Sequence, residues 1–361
     1  MTLIILVNLL HSIKNVSVEA LANAFPLLIQ FDSRRRKIQR FLSNSHLKIE
    51  TLWLPIITAW LETELTANSV IYLAIDRTSW GRINLLMISF IWNRRAIPVY
   101  FQLLPKLGSS NFEEQKAALV KVLPIFSQQK TVVLGDREFC SVLLGNWLRQ
   151  QKVYFCLRLK KDEFIARQDG IWQELNDLGL KSGVSFFLKG VKVTKTKKLS
   201  GFNIAAKWKR KYFGLSAQEG WFLLTNLESL ELAIAAYKRR FGIEEMFRDF
   251  KSGGYNLEDT NVTGERLLAL ILIIAIAYTS TTIFGEKIKR IGVQKYVGRV
   301  KEYKRTQRRH SSFYIGLYGY TWVNFLADCQ EFTAELMKLN PNKQHYYRRG
   351  QRAMNLILSA S

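Results

Sequence analysis

Residues 69–160 alternate between short apolar runs and helical patterns, and this order limits what the chain can fold into. A run rich in β-branched residues ends at Asp76, and a hairpin-sized turn separates two more apolar runs, residues 85–92 and 96–104. An amphipathic segment follows, and a second β-branched run ends at Asp136 before a further helix-like and strand-like segment. The pattern predicts strand, strand, strand, helix, strand, helix, strand, which is an α/β fold.

A third acidic residue, Glu244, lies within the string Tyr237-x2-Arg240-x3-Glu244-x6-Lys251. On one continuous helix of about 3.6 residues per turn, these four residues and Arg248 would share one polar face. An apolar stripe on the opposite flank would bury that helix against a core. The spacing therefore predicts a carboxylate set in a row of cations.

Each of these features also has an ordinary structural interpretation. An aspartate at a strand end is often a turn-former or a helix cap. Arg240 and Glu244, four residues apart, are also compatible with a solvated surface ion pair. Taken together, however, three carboxylates on separate elements suit hard divalent cations. The 4 His and 3 Cys of the chain show no zinc-ligand spacing, so the sequence favours metal-activated water as the nucleophile.

The order Asp, Asp, Glu, with the last inside this string, resembles the DDE transposases of bacterial insertion sequences, specifically the insertion sequence four family. The contexts Asp76-Arg77-Thr78 and Gly135-Asp136-Arg137-Glu138 resemble the other two catalytic blocks of that family. The resemblance covers roughly residues 69–261.

This resemblance implies a ribonuclease-H-like core of the retroviral integrase superfamily. Asp76, Asp136 and Glu244 would hold two divalent ions, usually Mg²⁺, with Mn²⁺ able to substitute. Tyr237, Arg240 and Lys251 would contact phosphates at the transposon end, and Arg137 and Arg248 are further candidates for DNA contact. The activity implied is cleavage at the element's terminal inverted repeats and strand transfer into target DNA. Two ends joined to one target imply a homodimer in the DNA complex.

The net charge independently favours a nucleic-acid partner. The chain has 53 Lys and Arg against 29 Asp and Glu, a net charge of +24. Such a surface gains from counterion release on binding a polyanion. The basic residues are spread over several segments and do not form one amphipathic helix, which argues against a membrane surface. The apolar run that begins at Leu267 is predicted to be a buried core helix, and the protein to be cytoplasmic, in a bacterial cell, and nucleoid-associated.

Four regions are predicted. Residues 1–66 form a helical DNA-end-binding region, in which Arg34, Arg35 and Arg36 stand at a helix N-terminus and suggest phosphate contact. Residues 67–160 and 226–285 form the catalytic core. Residues 161–225 form a β-rich basic insertion, and residues 286–361 a basic, helical C-terminal region for DNA contact or dimerisation.

The predicted insertion combines cations with aromatic side chains. Residues 178–218 contain ten Lys and Arg and no acid. Bases that leave the duplex stack on rings while cations neutralise their phosphates. By resemblance to relatives with such an insertion, Trp208 is a candidate for holding a flipped base, although a packing role is equally compatible with the sequence. The C-terminal block, residues 287–309, contains a further ten Lys and Arg, including Lys304, Arg305 and Arg308.

Two other functions are compatible with the same residues. One is a transposase-derived DNA-binding protein that no longer catalyses. The other is a nuclease on the same core that hydrolyses DNA without joining it.

Overall fold

The computed structural model describes residues 1–66, 69–166, 170–212, 215–216, 218–301, 303 and 309–361. Of the predicted basic residues, Lys304, Arg305 and Arg308 lie outside these described residues. The chain divides into two compact units. The first comprises Met1–Leu47 and Arg248–Ser361, and the second comprises Lys48–Phe247. The boundaries between these units, after Leu47 and after Phe247, differ from the boundaries of the four predicted regions.

The second unit contains twelve strands among its described residues. They are β1 (Val70–Trp80), β2 (Ile83–Trp92), β3 (Arg95–Leu103), β4 (Lys130–Gly135), β5 (Tyr154–Arg158), β6 (Phe164–Ala166), β7 (Trp172–Glu174), β8 (Ser185–Val193), β9 (Leu199–Lys207), β10 (Lys211–Tyr212), β11 (Leu215–Ser216) and β12 (Trp221–Thr225). Ten of them form one sheet in the order β3-β2-β1-β4-β5-β12-β9-β8-β6-β7, and β10 pairs with β11. The mixed α/β class predicted from the sequence is confirmed.

Twelve α-helices occur in the described parts of the chain. They are α1 (Thr2–Ile13), α2 (Val18–Ala24), α3 (Phe31–Leu42), α4 (Leu54–Glu64), α5 (Phe112–Val122), α6 (Val142–Gln150), α7 (Leu230–Arg239), α8 (Phe241–Phe250), α9 (Gly264–Arg290), α10 (Ser312–Val323), α11 (Leu326–Leu339) and α12 (Gln344–Ala360).

β1, which carries Asp76, and β4, which ends just before Asp136, are neighbours in the sheet. β1 runs parallel to β4, and the last pair in their register is Ile75 with Gly135. Asp76 and Asp136 therefore leave the parallel ladder side by side. One detail of the prediction is wrong: Asp76 does not end its strand, because β1 continues to Trp80 by antiparallel pairing with β2.

The strands of the predicted insertion extend the main sheet. β12 is hydrogen-bonded to β5 on one side and to β9 on the other, both in antiparallel register. β9 pairs with β8, and β8 pairs with β6. Apart from the β10–β11 pair, the described strands between β5 and α7 thus belong to the same hydrogen-bonded sheet as the two aspartates.

α7 packs on the sheet through a strip of small and apolar residues. Ala233, Ile234 and Ala236 are buried against Val132 of β4 and Leu223 of β12. Ser229 caps the helix by accepting a hydrogen bond from the Leu232 N–H at 3.2 Å. This packing fixes the face of α7 that carries Tyr237.

The single helix predicted for the Tyr237-to-Lys251 string is wrong. α7 ends at Arg239, Arg240 follows as a turn residue with helical backbone angles, and α8 begins at Phe241. Lys251 lies after the end of α8. The string is therefore divided between two helices and the turn residue Arg240, and Lys251 lies outside both helices.

In the first unit, α9 and α10 cross at unusually close range. A Cβ added to Gly285 would lie 1.8 Å from the Ser312 carbonyl oxygen, and one added to Gly316 would lie 1.9 Å from the Thr281 carbonyl oxygen. Only glycine fits at either position without moving the backbone. Phe284, Ile288 and Ile315 belong to the apolar core that these helices share with α12.

α9 corresponds to the apolar run that begins at Leu267. By length and composition it could span a membrane, but 78% of its most apolar stretch is buried inside the protein. α1 and α2 pass the same test only as a pair, and the chain bends by 99° between them. α9 is therefore largely buried in the core of its unit, as the sequence pattern predicts.

We expect the first unit to lose stability in mild acid through His11. Its Nε2 atom lies 3.3 Å from the Ala277 carbonyl and 3.3 Å from Ser280 Oγ, and its ring stacks on Tyr320. Burial lowers the pKa of His11 to about 4, outweighing the opposite effect of the Ala277 carbonyl. The unfolded chain therefore binds a proton that the folded chain does not, and about 3 kcal/mol should be lost as the pH falls from about 6.5 to about 4.

Urea unfolding at several pH values tests this expectation. The His11→Gln variant should lack this component of the pH dependence, whereas the variant of an exposed histidine, His46→Gln, should retain it. Equal slopes for His11→Gln and the unsubstituted protein would contradict the assignment.

Candidate active site

The three predicted carboxylates converge on one guanidinium. Arg240 Nη1 lies 3.2 Å from Asp76 Oδ2, and Arg240 Nη2 lies 3.9 Å from Asp136 Oδ2. Arg240 Nη2 also donates to Glu244 Oε1 in a short contact. The Arg240 side chain is only 3% exposed. Two strands and the α7–α8 segment therefore bring Asp76, Asp136 and Glu244 around one point.

Both aspartates are oriented by the backbone that follows them. Asp76 Oδ1 accepts the Arg77 N–H at 2.8 Å, and Asp136 Oδ1 accepts the Arg137 N–H at 2.7 Å. Gly135 matters for this turn, because a Cβ at that position would lie 2.6 Å from the Phe139 Cβ. A side chain at residue 135 would therefore displace the turn that presents Asp136.

The sequence pattern predicts that Tyr237 and Arg240 stand on a DNA-binding stripe. In the structure both side chains are buried. Tyr237 is fully buried, and its hydroxyl donates to Asp136 Oδ1 at 3.3 Å. Burial raises the pKa of the Tyr237 phenol, which keeps it protonated as a donor. The ring of Trp221, in β12, lies edge-on against the Tyr237 ring at 5.1 Å between centroids. The physical reason is charge pairing, because the Arg240 guanidinium is buried against Asp76, Asp136 and Glu244.

The site combines buried and solvated acids. Burial raises the pKa of Asp76 to about 6, against the lowering effect of the Arg240 charge. Asp136 and Glu244 are more exposed than Asp76, which is 18% exposed. Burial acts to lower the pKa of Arg240, but the acidic groups around it raise that pKa by a larger amount. Arg240 is therefore a permanent cation. The guanidinium supplies the positive charge that a buried carboxylate requires.

The donor chemistry fits hard divalent cations, because all three side chains offer carboxylate oxygens. Within the described residues, no group of three or more His, Cys, Asp or Glu side chains lies close enough to hold a metal ion. Arg240 stands between the three carboxylates instead. The residues therefore fit the ions by the type of their donor atoms, and a guanidinium occupies the point where the three carboxylates converge.

A second ion pair ties the strand that carries Asp76 to the turn that carries Asp136. Arg77 Nε donates to both carboxylate oxygens of Glu138, at 3.0 and 2.9 Å. Glu138 Oε1 also accepts the backbone N–H and the hydroxyl of Ser110, both at 2.9 Å. Arg77 Nη1 donates to Asn84 Oδ1 at 3.0 Å. Each member of the pair is one or two residues from a candidate catalytic aspartate, so the pair fixes the spacing of β1 and β4 at the site.

A double-mutant cycle on Arg77 and Glu138 should show a coupling of about 1–3 kcal/mol, because the pair is charge-assisted and largely buried. Urea unfolding of Arg77→Ala, Glu138→Ala and the double variant measures it. The same cycle on the exposed pair Lys338 and Glu335, 3.5 Å apart, should give at most about 0.5 kcal/mol. Equal couplings in the two cycles would mean that the Arg77–Glu138 pair is only a surface contact.

Sequence patterns do not reveal the neighbours that the sheet adds to Asp136. Arg158, at the end of β5, lies 3.8 Å from Asp136 Oδ1. Glu219, just before β12, contacts both Arg158 and Arg137. A signal exists in hindsight, since Glu219 is the first acid after the acid-free residues 178–218.

The remaining predicted DNA-binding residues are distributed over both units. Trp208 follows β9, and its backbone pairs with Gly183 and Val184. Arg248 is exposed on α8, and Lys251 forms an ion pair with Glu258 at 2.6 Å. Arg248 and Lys251 belong to the first unit.

The three arginines predicted at a helix N-terminus lie in the first two turns of α3. Arg36 is exposed, and Arg34 is half-buried. Arg35 is paired with Glu19 at 2.9 Å and lines a cavity of about 220 Å³ together with Gln39 and Arg266.

Part of the chain is similar to a known protein family. Residues 110–280 match the family model described as the transposase DDE domain. The match includes Asp136 and Glu244 and supports a DDE transposase, an enzyme that acts on DNA. No curated protein matches the sequence.

The chain is also similar to a solved structure, a cryo-EM structure of the piggyBac transposase synaptic complex with hairpin DNA. The sequence identity is 13% and the TM-score 0.40, and the similarity covers 78% of this chain and 57% of the other. A TM-score of 0.40 is too low to establish a shared fold.

Proposed function

We propose that the protein is a DNA transposase that cleaves the ends of an insertion sequence and joins them to target DNA. The observation that carries this proposal is the convergence of Asp76, Asp136 and Glu244 on one point. The transposase DDE domain match over residues 110–280 supports it. The net charge of +24 is suited to a DNA partner.

Within that class, we assign the chain to the insertion sequence four family on its Tyr237-x2-Arg240-x3-Glu244-x6-Lys251 string. The order β3-β2-β1-β4-β5, with β1 and β4 parallel, supports a ribonuclease-H-like core. The DNA partners proposed are the terminal inverted repeats and the target duplex, bound by a homodimer in a bacterial cytoplasm at the nucleoid. Regions 1–66 and 286–361 would contact DNA, the latter also serving in dimerisation.

Asp76, Asp136 and Glu244 would hold two Mg²⁺ ions, with Mn²⁺ as a substitute. When bound, such ions activate a water or 3′-hydroxyl nucleophile and stabilise the leaving 3′-oxygen in displacement at phosphorus. The chain's own residues prepare the carboxylates for this role. Tyr237 and the Arg137 N–H orient Asp136, the Arg77 N–H orients Asp76, and Arg240 contacts all three acids.

DNA contacts are proposed for the arginines and lysines that stand outside the carboxylate group. These are Arg34, Arg35, Arg36, Arg137, Arg248 and Lys251. Trp208 is proposed to stack on a displaced base.

One assay distinguishes the proposed function from its alternatives. The protein is incubated with labelled DNA carrying the inverted repeats that flank its gene, with Mg²⁺ and a supercoiled target. The proposal predicts cleavage at the repeat ends followed by joined products. Binding without cleavage would indicate a DNA-binding protein, and cleavage without joining would indicate a nuclease.

A further inference from the structure

Glu219 brings together two arginines beside the candidate active site. Its carboxylate accepts a short hydrogen bond from Arg137 Nη2 and another from Arg158 Nη2 at 2.5 Å. Arg137 directly follows Asp136, and Arg158 Nη1 lies 3.8 Å from Asp136 Oδ1. Two guanidiniums therefore face one anion within a few ångströms of a proposed catalytic carboxylate.

The anion stands on the outer side of this cluster. The Glu219 side chain is 51% exposed, whereas Arg158 is 13% exposed. The carboxylate thus lies between solvent and a nearly buried guanidinium. Burial would raise the pKa of Glu219, but Arg158 and Arg137 outweigh it and hold that pKa below its usual value. Glu219 is therefore an anion at neutral pH.

Two convergent guanidiniums are also an arrangement that binds phosphate. Their planar N–H groups match the oxygens of a phosphate as well as those of a carboxylate. A phosphate that replaces this carboxylate keeps both guanidiniums paired with an anion, so the exchange leaves no buried charge uncompensated. The acid-free residues 178–218 that precede Glu219 make this carboxylate an exception in a basic segment.

We propose that Arg137 and Arg158 form a binding site for a DNA backbone phosphate beside Asp136, and that Glu219 occupies this site until DNA displaces it. The inference rests on the proposed function. It adds Arg158 to the DNA-contacting residues and assigns Glu219 as an internal competitor of the phosphate. The competition lowers the affinity of the free protein for DNA without affecting its fold.

Fluorescence anisotropy with a labelled mixed-sequence DNA duplex, at several salt concentrations, tests this assignment. Glu219→Gln should tighten binding by about three- to tenfold, since it removes the competing carboxylate. The matched control is Glu228→Gln, which makes the same change in charge at an exposed residue of the same unit and should change the affinity less than twofold.

Arg158→Ala should weaken binding and reduce the slope of log affinity against log salt by about 0.9, because one phosphate contact is lost. In the Arg158→Ala background, Glu219→Gln should have a much smaller effect than alone, because half of the competed site is missing. Arg158→Lys keeps the positive charge but lacks the planar guanidinium. It replaces Arg158→Ala in the comparison if Arg158→Ala has a lowered melting temperature. Equal effects of Glu219→Gln and Glu228→Gln, or full additivity of the two substitutions, would overturn the inference.

The outcome also separates this inference from the proposed function. If the unsubstituted protein binds and cleaves DNA while Glu219 behaves like Glu228, only the phosphate site is wrong. If neither the unsubstituted protein nor any variant binds the duplex, the proposed function fails together with it.

Discussion

Asp76→Asn, Asp136→Asn and Glu244→Gln should each slow DNA strand cleavage by at least about a thousandfold, which corresponds to about 4 kcal/mol of lost transition-state stabilisation. The amides keep the shape of each side chain but lose the charge that holds divalent cations. The DNA-contacting surface is unchanged, so the affinity for an end-bearing duplex should stay within about tenfold.

Single-turnover cleavage at saturating Mg²⁺, together with anisotropy binding on the same DNA, measures both quantities. Asp177→Asn and Glu228→Gln are matched controls, because both residues are exposed acids of the same unit outside the carboxylate group. They should cleave at rates close to that of the unsubstituted protein. If any of the three active-site variants also does so, that residue does not ligate a metal ion.

Arg240→Ala should destabilise the metal-free protein by about 3–5 kcal/mol. Its guanidinium is buried and contacts three carboxylates, and removing one partner of a buried charge cluster leaves the others uncompensated. The cost of losing the counter-charge should be largest at Asp76, because it is the least exposed of the three acids. Arg240→Lys keeps a positive charge but loses the planar guanidinium, so its free energy of unfolding should lie between those of Arg240→Ala and the unsubstituted protein.

Thermal and urea unfolding with and without Mn²⁺ measure this effect. Because the space between the carboxylates is then free for another cation, Mn²⁺ should raise the melting temperature of Arg240→Ala more than that of the unsubstituted protein. Arg248→Ala, at an exposed arginine of α8, should stay within about 0.5 kcal/mol of the unsubstituted protein. A mild loss in Arg240→Ala with no added response to Mn²⁺ would mean that the carboxylates do not share a cation site.

The sequence predicts those parts of the site that local patterns determine. β-branched runs in the sequence mark β1 and β4, the two strands that lie side by side in the structure, with Ile75 opposite Gly135. The α/β class follows from the same alternation. The convergence of Asp76, Asp136 and Glu244 follows once these strands and one helix-like string are in place.

Local patterns fail where long-range packing decides the conformation. The residues from Tyr237 to Lys251 fit one helix by spacing, yet the chain breaks at Arg240, where the guanidinium reaches three acids on other elements. Arg158 and Glu219 are 61 residues apart, and they meet only because β5 and β12 are neighbours in the sheet. Such pairings depend on strand order, and periodicity carries no information about strand order.

The position of β12 between β5 and β9 has a consequence for engineering this chain. A peripheral module can be trimmed from a protein when its removal leaves the remaining sheet intact. Here, removal of residues 161–225 would remove β12, while β5 would still pair with β4 on its other side. The free edge of β5 would then carry an unpaired row of backbone N–H and C=O groups next to Asp136. A shortened protein of that kind would aggregate along this edge, so a minimal catalytic fragment of this chain has to retain β12 and a strand to cover it.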